Sequence, residues 1–307
     1  MLSLIMLSLI MLSLIMLSLI MLLLCFPRKE GYEGCDVPTR IALVSMIRDP
    51  TDLGFWIDYY CSRLDLDHLV LRIEDSEDRY TEIRAILDRY PDKIEAVYVN
   101  TLETDTDHYN TIQDRQMEHI RYAIGRCHRK NISYLLHLDD DEILAVHDLD
   151  LRGLIRRHRL WEYDNIRFSN LEAVYDKGNT SCFRSRRFIL PVRSYANGKS
   201  MARLYDKTRP MGPHGFSFRG NRQKTIPIEE AVVLHFESCV YEKWITKFRR
   251  LDRSRNIPFW FYKDSMSRIG GDEDPREYYN RMMSWFRQRD QVRISPHFRW
   301  EEIAQSS

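Results

Sequence analysis

Between residues 41 and 138 four short apolar runs alternate with segments of helical pattern, and no other feature of the chain restricts its fold as much. Ile41-Ala-Leu-Val-Ser-Met-Ile47, His68–Ile73, Ile94–Val99 and Tyr134–Leu138 have the length and branching of buried strands. Residues 53–64, 79–89 and 108–129 carry their apolar side chains near helical spacing. Strands without a polar alternate face need cover on both sides, so the expected class is α/β: a Rossmann-like, mostly parallel central sheet with helices on both faces. Ligands of such sheets bind beyond the carboxyl ends of the strands.

After residue 150 the alternation weakens. Strands are expected at 165–168, 188–192 and 231–236, a Gly- and Pro-rich loop at 207–221, and helices at 240–262 and 275–289. The expected organisation is an apolar segment at 1–26, a linker at 27–39, a main domain at 40–262 and a C-terminal helical extension at 263–307. The main domain divides into halves at 40–150 and 151–262.

Residues 1–20 are four copies of Met-Leu-Ser-Leu-Ile, and the first charged residue is Arg28. A helix over 1–26 would be apolar all round and ~39 Å long, against a hydrocarbon core of ~30 Å. Hydropathy therefore predicts a single-pass membrane protein, with the membrane as a partner through residues 1–26. Orientation is weakly specified, because Arg28 and Lys29 would keep the following domain in the cytosol. A competing reading is an expanded DNA repeat with translation starting at Met21, which leaves no membrane segment and a cytoplasmic protein.

Lys plus Arg number 46 against 45 Asp plus Glu, so no field of one sign points to a nucleic-acid partner. The six cysteines, with no CxxC pair, signal neither a zinc site nor a disulfide framework and read best as small buried apolar residues.

The chemistry concentrates where the fourth apolar run meets Asp139-Asp140-Asp141-Glu142. Clustered carboxylates repel and resist desolvation unless a cation or backbone donors are present. A hard divalent ion, Mg²⁺ or Mn²⁺, accounts for them. In an extended segment Asp139 and Asp141 would share a face, with Asp140 turned away. A helix N-terminus enriched in acids is the plainer alternative.

The segment Leu136-His137-Leu138-Asp139-Asp140-Asp141-Glu142 resembles the metal-binding Asp-x-Asp strand of GT-A glycosyltransferases, in particular their family-two and family-ninety-two-like branch. The resemblance extends over most of 40–250. It takes in Arg48-Asp49, Phe55-Trp-Ile-Asp-Tyr-Tyr60, Asn197-Gly-Lys-Ser200, Gly212-Pro-His-Gly215, His235-Phe-Glu-Ser238 and Tyr241-Glu-Lys-Trp-Ile-Thr-Lys247. It implies a GT-A fold whose first half binds nucleotide and whose second half binds acceptor. The implied activity is metal-dependent sugar transfer, with inversion, from a nucleotide sugar, most simply a UDP sugar, to a glycan or glycoprotein.

By the same resemblance Asp141, Asp139 and His235 would serve the Mn²⁺ or Mg²⁺, with Asp139 also near the ribose. Glu74 and Asp75 would meet the nucleobase, and Arg48, Lys199, Lys243 and Lys247 the donor. His214 would sit in a loop closing over the donor. Two carboxylates, Glu172 and Glu237, are candidates for the base that an inverting displacement needs. The alternatives are a metal-dependent phosphohydrolase and a non-catalytic, membrane-tethered carbohydrate-binding protein.

Overall fold

The computed structural model describes residues 39–50, 52–75, 77–99, 111–175, 182–191, 197–236, 241–242, 244–245 and 274–305. The apolar repeat, the linker up to 38, most of the helix expected at 240–262, and the candidates Glu237, Lys243 and Lys247 lie outside the described residues. Among the described residues no helix is long and apolar enough to cross a membrane. That corrects the expected membrane placement, which nothing described here carries.

Strands β1 (Ile41–Ile47), β2 (His68–Ile73), β3 (Ile94–Tyr98) and β4 (Tyr134–His137) fall on the four apolar runs. They pair in parallel in the order β4-β1-β2-β3. Helix α1 (Leu53–Asp58) continues as a π-helical turn at Tyr59–Arg63, and α2 spans Glu77–Leu87 and α3 Ile112–Arg129.

Alternate residues of β1 enter different cores, as a doubly covered sheet requires. Ala42 and Val44 pack with Ile120, Ala123, Ile124 and Cys127 of α3. Ile41 and Leu43 join Trp56, Ile57 and Ile83 from α1 and α2. His119 of α3 is also buried, with a ring nitrogen 3.2 Å from the Val70 carbonyl. Burial pushes its pKa down to about 4, so the fold holds the neutral ring.

Below pH ~6.5 the unfolded chain binds a proton at this position that the folded chain refuses, so stability falls as pH drops from ~6.5 toward 4. His119→Gln should flatten that acid limb by about 2–3 kcal/mol in urea titrations across this range. An unchanged slope would show that another group sets it.

The sheet is mixed, with four of its six pairings parallel. Beyond β4 it continues through β9 (Lys199–Arg203), β6 (Asn165–Phe168) and β10 (Gln223–Ile226), giving the order β10-β6-β9-β4-β1-β2-β3. β9 runs antiparallel to both its neighbours. Lys-Ser-Met-Ala-Arg lacks the apolar run of a central strand, yet its interior positions are buried because strands flank it on both sides.

A second sheet, in the order β12-β8-β7-β11-β5, holds β5 (Glu142–Val146), β7 (Asn170–Val174), β8 (Arg187–Ile189), β11 (Ala231–His235) and β12 (Gln291–Val292). Helices α4 (Leu151–Arg157), α5 (Pro275–Gln288) and α6 (Trp300–Gln305) complete the described elements, and Trp300 of α6 is buried in the main core. Cys182 is disulfide-bonded, whereas Cys61 and Cys127 are free and buried as expected.

Candidate functional site

The acidic run is neither an extended segment nor a helix N-terminus. It is a turn by which the chain leaves β4 in the first sheet and enters β5 in the second. The apolar stretch after Glu142 forms a strand because it is buried throughout, pairing antiparallel with β11. That register sets His235 opposite Glu142, and the parallel pairing of β11 with β7 sets Glu172 opposite His235.

The turn therefore sends its carboxylates in three directions. Asp140 accepts from the Arg48 backbone N–H at 3.2 Å. Asp139 faces the first sheet, where Gln116 Nε2 of α3 donates to Oδ1 at 2.9 Å and Lys199 Nζ donates to Oδ2 at 2.5 Å. Asp141 faces the second sheet, with Oδ1 3.7 Å from His235 Nε2.

Lys199 is 1% exposed and also lies 3.3 Å from Glu142 Oε2, so one ammonium serves two carboxylates. Burial alone would resist every charge in this group. The attraction between Lys199 and Asp139 overrides it, holding the Asp139 carboxyl well below and the Lys199 ammonium well above their ordinary ranges. Glu142 is left the weaker partner: burial pushes its pKa up to about 7, against the pull of Lys199. Glu142 also closes the turn by accepting the Asp139 backbone N–H at 2.8 Å.

Lys199, expected to meet the donor, is placed between Asp139 and Glu142. An ammonium between these two carboxylates ties the acidic turn to β9. Its position depends on Gly198, which has φ +57°, and a Cβ there would lie 2.1 Å from the Phe168 carbonyl oxygen. Gly198→Ala would combine left-handed strain, roughly 1–2 kcal/mol, with that backbone clash. A loss of stability larger than the strain alone is expected in urea denaturation, and a wild-type midpoint would contradict this packing.

Glu74, expected near the nucleobase, lies at the end of β2. It is fully buried, with Arg72 Nε at 2.7 Å and Arg115 Nε at 2.9 Å from Oε1, so its carboxylate is engaged by two guanidinium groups. Asp75 accepts from the Asp49 backbone N–H at 3.1 Å and lies 3.2 Å from Arg79, which fixes the turn after β1. Arg48 stands beside the acidic turn through its backbone N–H.

His214 sits in a hairpin where Met211 N–H donates to the Gly215 carbonyl at 2.8 Å. The hairpin is tied to the sheet beneath it. His137 Nδ1 is 2.8 Å from the Pro213 carbonyl, Ser200 Oγ donates to the His214 carbonyl at 2.8 Å, and His214 Nδ1 is 2.9 Å from the Gly198 carbonyl.

His235 and Glu172 form the other half of the site. Glu172 Oε2 lies 2.8 Å from His235 Nδ1, and its Oε1 accepts from Asn170 Nδ2 at 2.7 Å. With hydrogen on Nδ1, the lone pair of Nε2 is turned toward the Asp141 carboxylate. Two electron-rich atoms 3.7 Å apart are well placed to share a cation, and a carboxylate behind the imidazole is the usual partner of a metal-binding histidine. Asp141 and His235 could together hold a divalent ion. Asp139 is engaged by Lys199 and Gln116.

Gln116, Asn170 and Glu142 escaped the sequence reading as site residues. Only Glu142 had a local signal, its place in the acidic run; the other two arrive from distant elements.

No family model matches the chain. An Arabidopsis thaliana protein described as glycosyltransferase-like is 28% identical over 171 residues, covering 45% of this chain and 36% of that protein, so the match spans well under half the relative's length. Among solved structures, a cytidylyltransferase from Leptospira borgpetersenii aligns at 11% identity over 82% of this chain and 98% of its own, with a TM-score of 0.34. Mouse xyloside xylosyltransferase 1 aligns at 15% identity over 43% of this chain and 53% of its own, with a TM-score of 0.24.

Proposed function

We propose that the chain is a metal-dependent glycosyltransferase that takes a nucleotide sugar, most simply a UDP sugar, and transfers the sugar to a glycan or glycoprotein acceptor. The observation that carries this reading is the pairing of Asp141 with a Glu172-backed His235 at the crossing between the two sheets. The glycosyltransferase-like description of the Arabidopsis relative agrees with it.

Asp141 and His235 would hold Mn²⁺ or Mg²⁺, which when bound neutralises charge on the diphosphate as it leaves. Lys199, Asp139 and Glu142 hold the turn that presents Asp141. The backbone at Arg48 holds Asp140, joining the end of β1 to the same turn. In an inverting displacement the acceptor oxygen bonds to the anomeric carbon as the bond to diphosphate breaks, and a carboxylate takes the hydroxyl proton. Both oxygens of Glu172 are engaged, which suits it to orienting His235 rather than to that proton transfer.

The test is a panel of nucleotide sugars incubated with the full chain, with Mn²⁺ or with chelator. Metal-dependent release of nucleoside diphosphate from one sugar class is expected. Release of inorganic phosphate from simple phosphomonoesters instead would favour a phosphohydrolase.

A further inference from the structure

A second group of metal-ligating side chains lies outside the proposed donor site. His147 and Asp148 follow β5 directly, and His297 lies in a 3₁₀ turn, Pro296–Phe298, near the C-terminus. One donor atom from each falls within 4.8 Å of the other two. His147 Nδ1 is 3.1 Å and His297 Nδ1 3.9 Å from the Asp148 carboxylate, and the two imidazoles stack with centroids 4.3 Å apart.

The backbones carrying these side chains are fixed independently of any ion. His147 N–H donates to the Glu230 carbonyl at 3.0 Å, which anchors the turn after β5 to the second sheet. Asp148 and Leu149 both have positive φ, 53° and 57°, a conformation costly for residues with a Cβ unless the surroundings enforce it. The His297 turn is flanked by Phe298 and Trp300, each 1% exposed, and Trp300 Nε1 donates to the Ser185 carbonyl at 2.8 Å. Glu230 is engaged by Arg157 at 3.1 Å. The side chains themselves are partly or well exposed, so small rotamer changes can close the donors onto an ion.

We infer that His147, Asp148 and His297 form a surface site for a zinc-class divalent ion, separate from the proposed donor site. Two imidazoles and one carboxylate suit Zn²⁺, with water completing a tetrahedron, and suit Mg²⁺ poorly. The ion would tie the C-terminal segment to the end of β5. This inference stands on its own residues and does not depend on the sugar-transfer reading.

The experiment uses the full chain, free of any histidine tag, in an Asp141→Asn background that removes one donor of the other site. Co²⁺ is the spectroscopic probe and Zn²⁺ the competitor. One equivalent of Co²⁺ should give the visible bands of a tetrahedral site, bleached by Zn²⁺, and Zn²⁺ should raise the thermal midpoint by ligand linkage. Adding His297→Ala, or separately His147→Ala, should weaken zinc binding by at least the ~10–100-fold typical of losing even an outer-shell partner, and abolish the midpoint shift. Zinc affinity and midpoint shift that survive both histidine substitutions would overturn the site, as would the absence of any zinc binding in the Asp141→Asn protein.

Discussion

Lys199→Met is expected to cost about 3–5 kcal/mol of stability, the usual penalty for removing one partner of a buried ion pair. Methionine keeps most of the side-chain volume, so packing is not the cause. The cost arises because Asp139 loses its 2.5 Å partner and Glu142 its 3.3 Å partner while both stay in the turn. A domain of this kind has only ~5–15 kcal/mol in total, so the urea midpoint should fall steeply. Neutralising the acids in the same chain, Asp139→Asn with Glu142→Gln, should recover much of the loss, since a buried charge group replaced as a whole is often nearly neutral. A wild-type midpoint for Lys199→Met would mean that the ammonium is not what holds the turn.

The second large effect concerns activity. The Asp141 side chain is partly exposed, and its tie to the second sheet through the Phe236 N–H at 2.9 Å uses its backbone carbonyl, so Asp141→Asn should fold with a midpoint close to wild type. It should nevertheless reduce metal-dependent turnover of the nucleotide sugar by at least ~10²-fold, the scale of losing one electrostatic contributor to the transition state. The two substitutions thus separate structure from chemistry within one acidic run. If Asp141→Asn kept its Mn²⁺-dependent turnover, the assignment of Asp141 to the metal would be wrong.

Much of the first half was legible because its strands are apolar on both faces and its helices amphipathic. β1, β2 and β6 match their expected spans, and α2 and α3 lie within a few residues of theirs. β9 was illegible because Lys199, Ser200 and Arg203 do not look like a central strand; the burial of Lys199 is explained only by carboxylates more than fifty residues away. The same limit hid the burial of Glu74 against Arg72 beside it and Arg115 on a distant helix. Asp140 was read as turned away from its neighbours, and so it is, but through a turn between sheets rather than a strand's alternation. His235 and Glu172 were each singled out, yet their contact across β7 and β11 had no trace in local spacing.

Calorimetry of UDP binding tests the proposed metal-dependent nucleotide site at Asp141 and His235 most directly. The full chain should bind UDP with an affinity that rises on adding Mn²⁺, and Asp141→Asn should lose that dependence while remaining folded. UDP affinity identical with Mn²⁺ and with chelator, or a Mn²⁺ effect unchanged in Asp141→Asn, would contradict it.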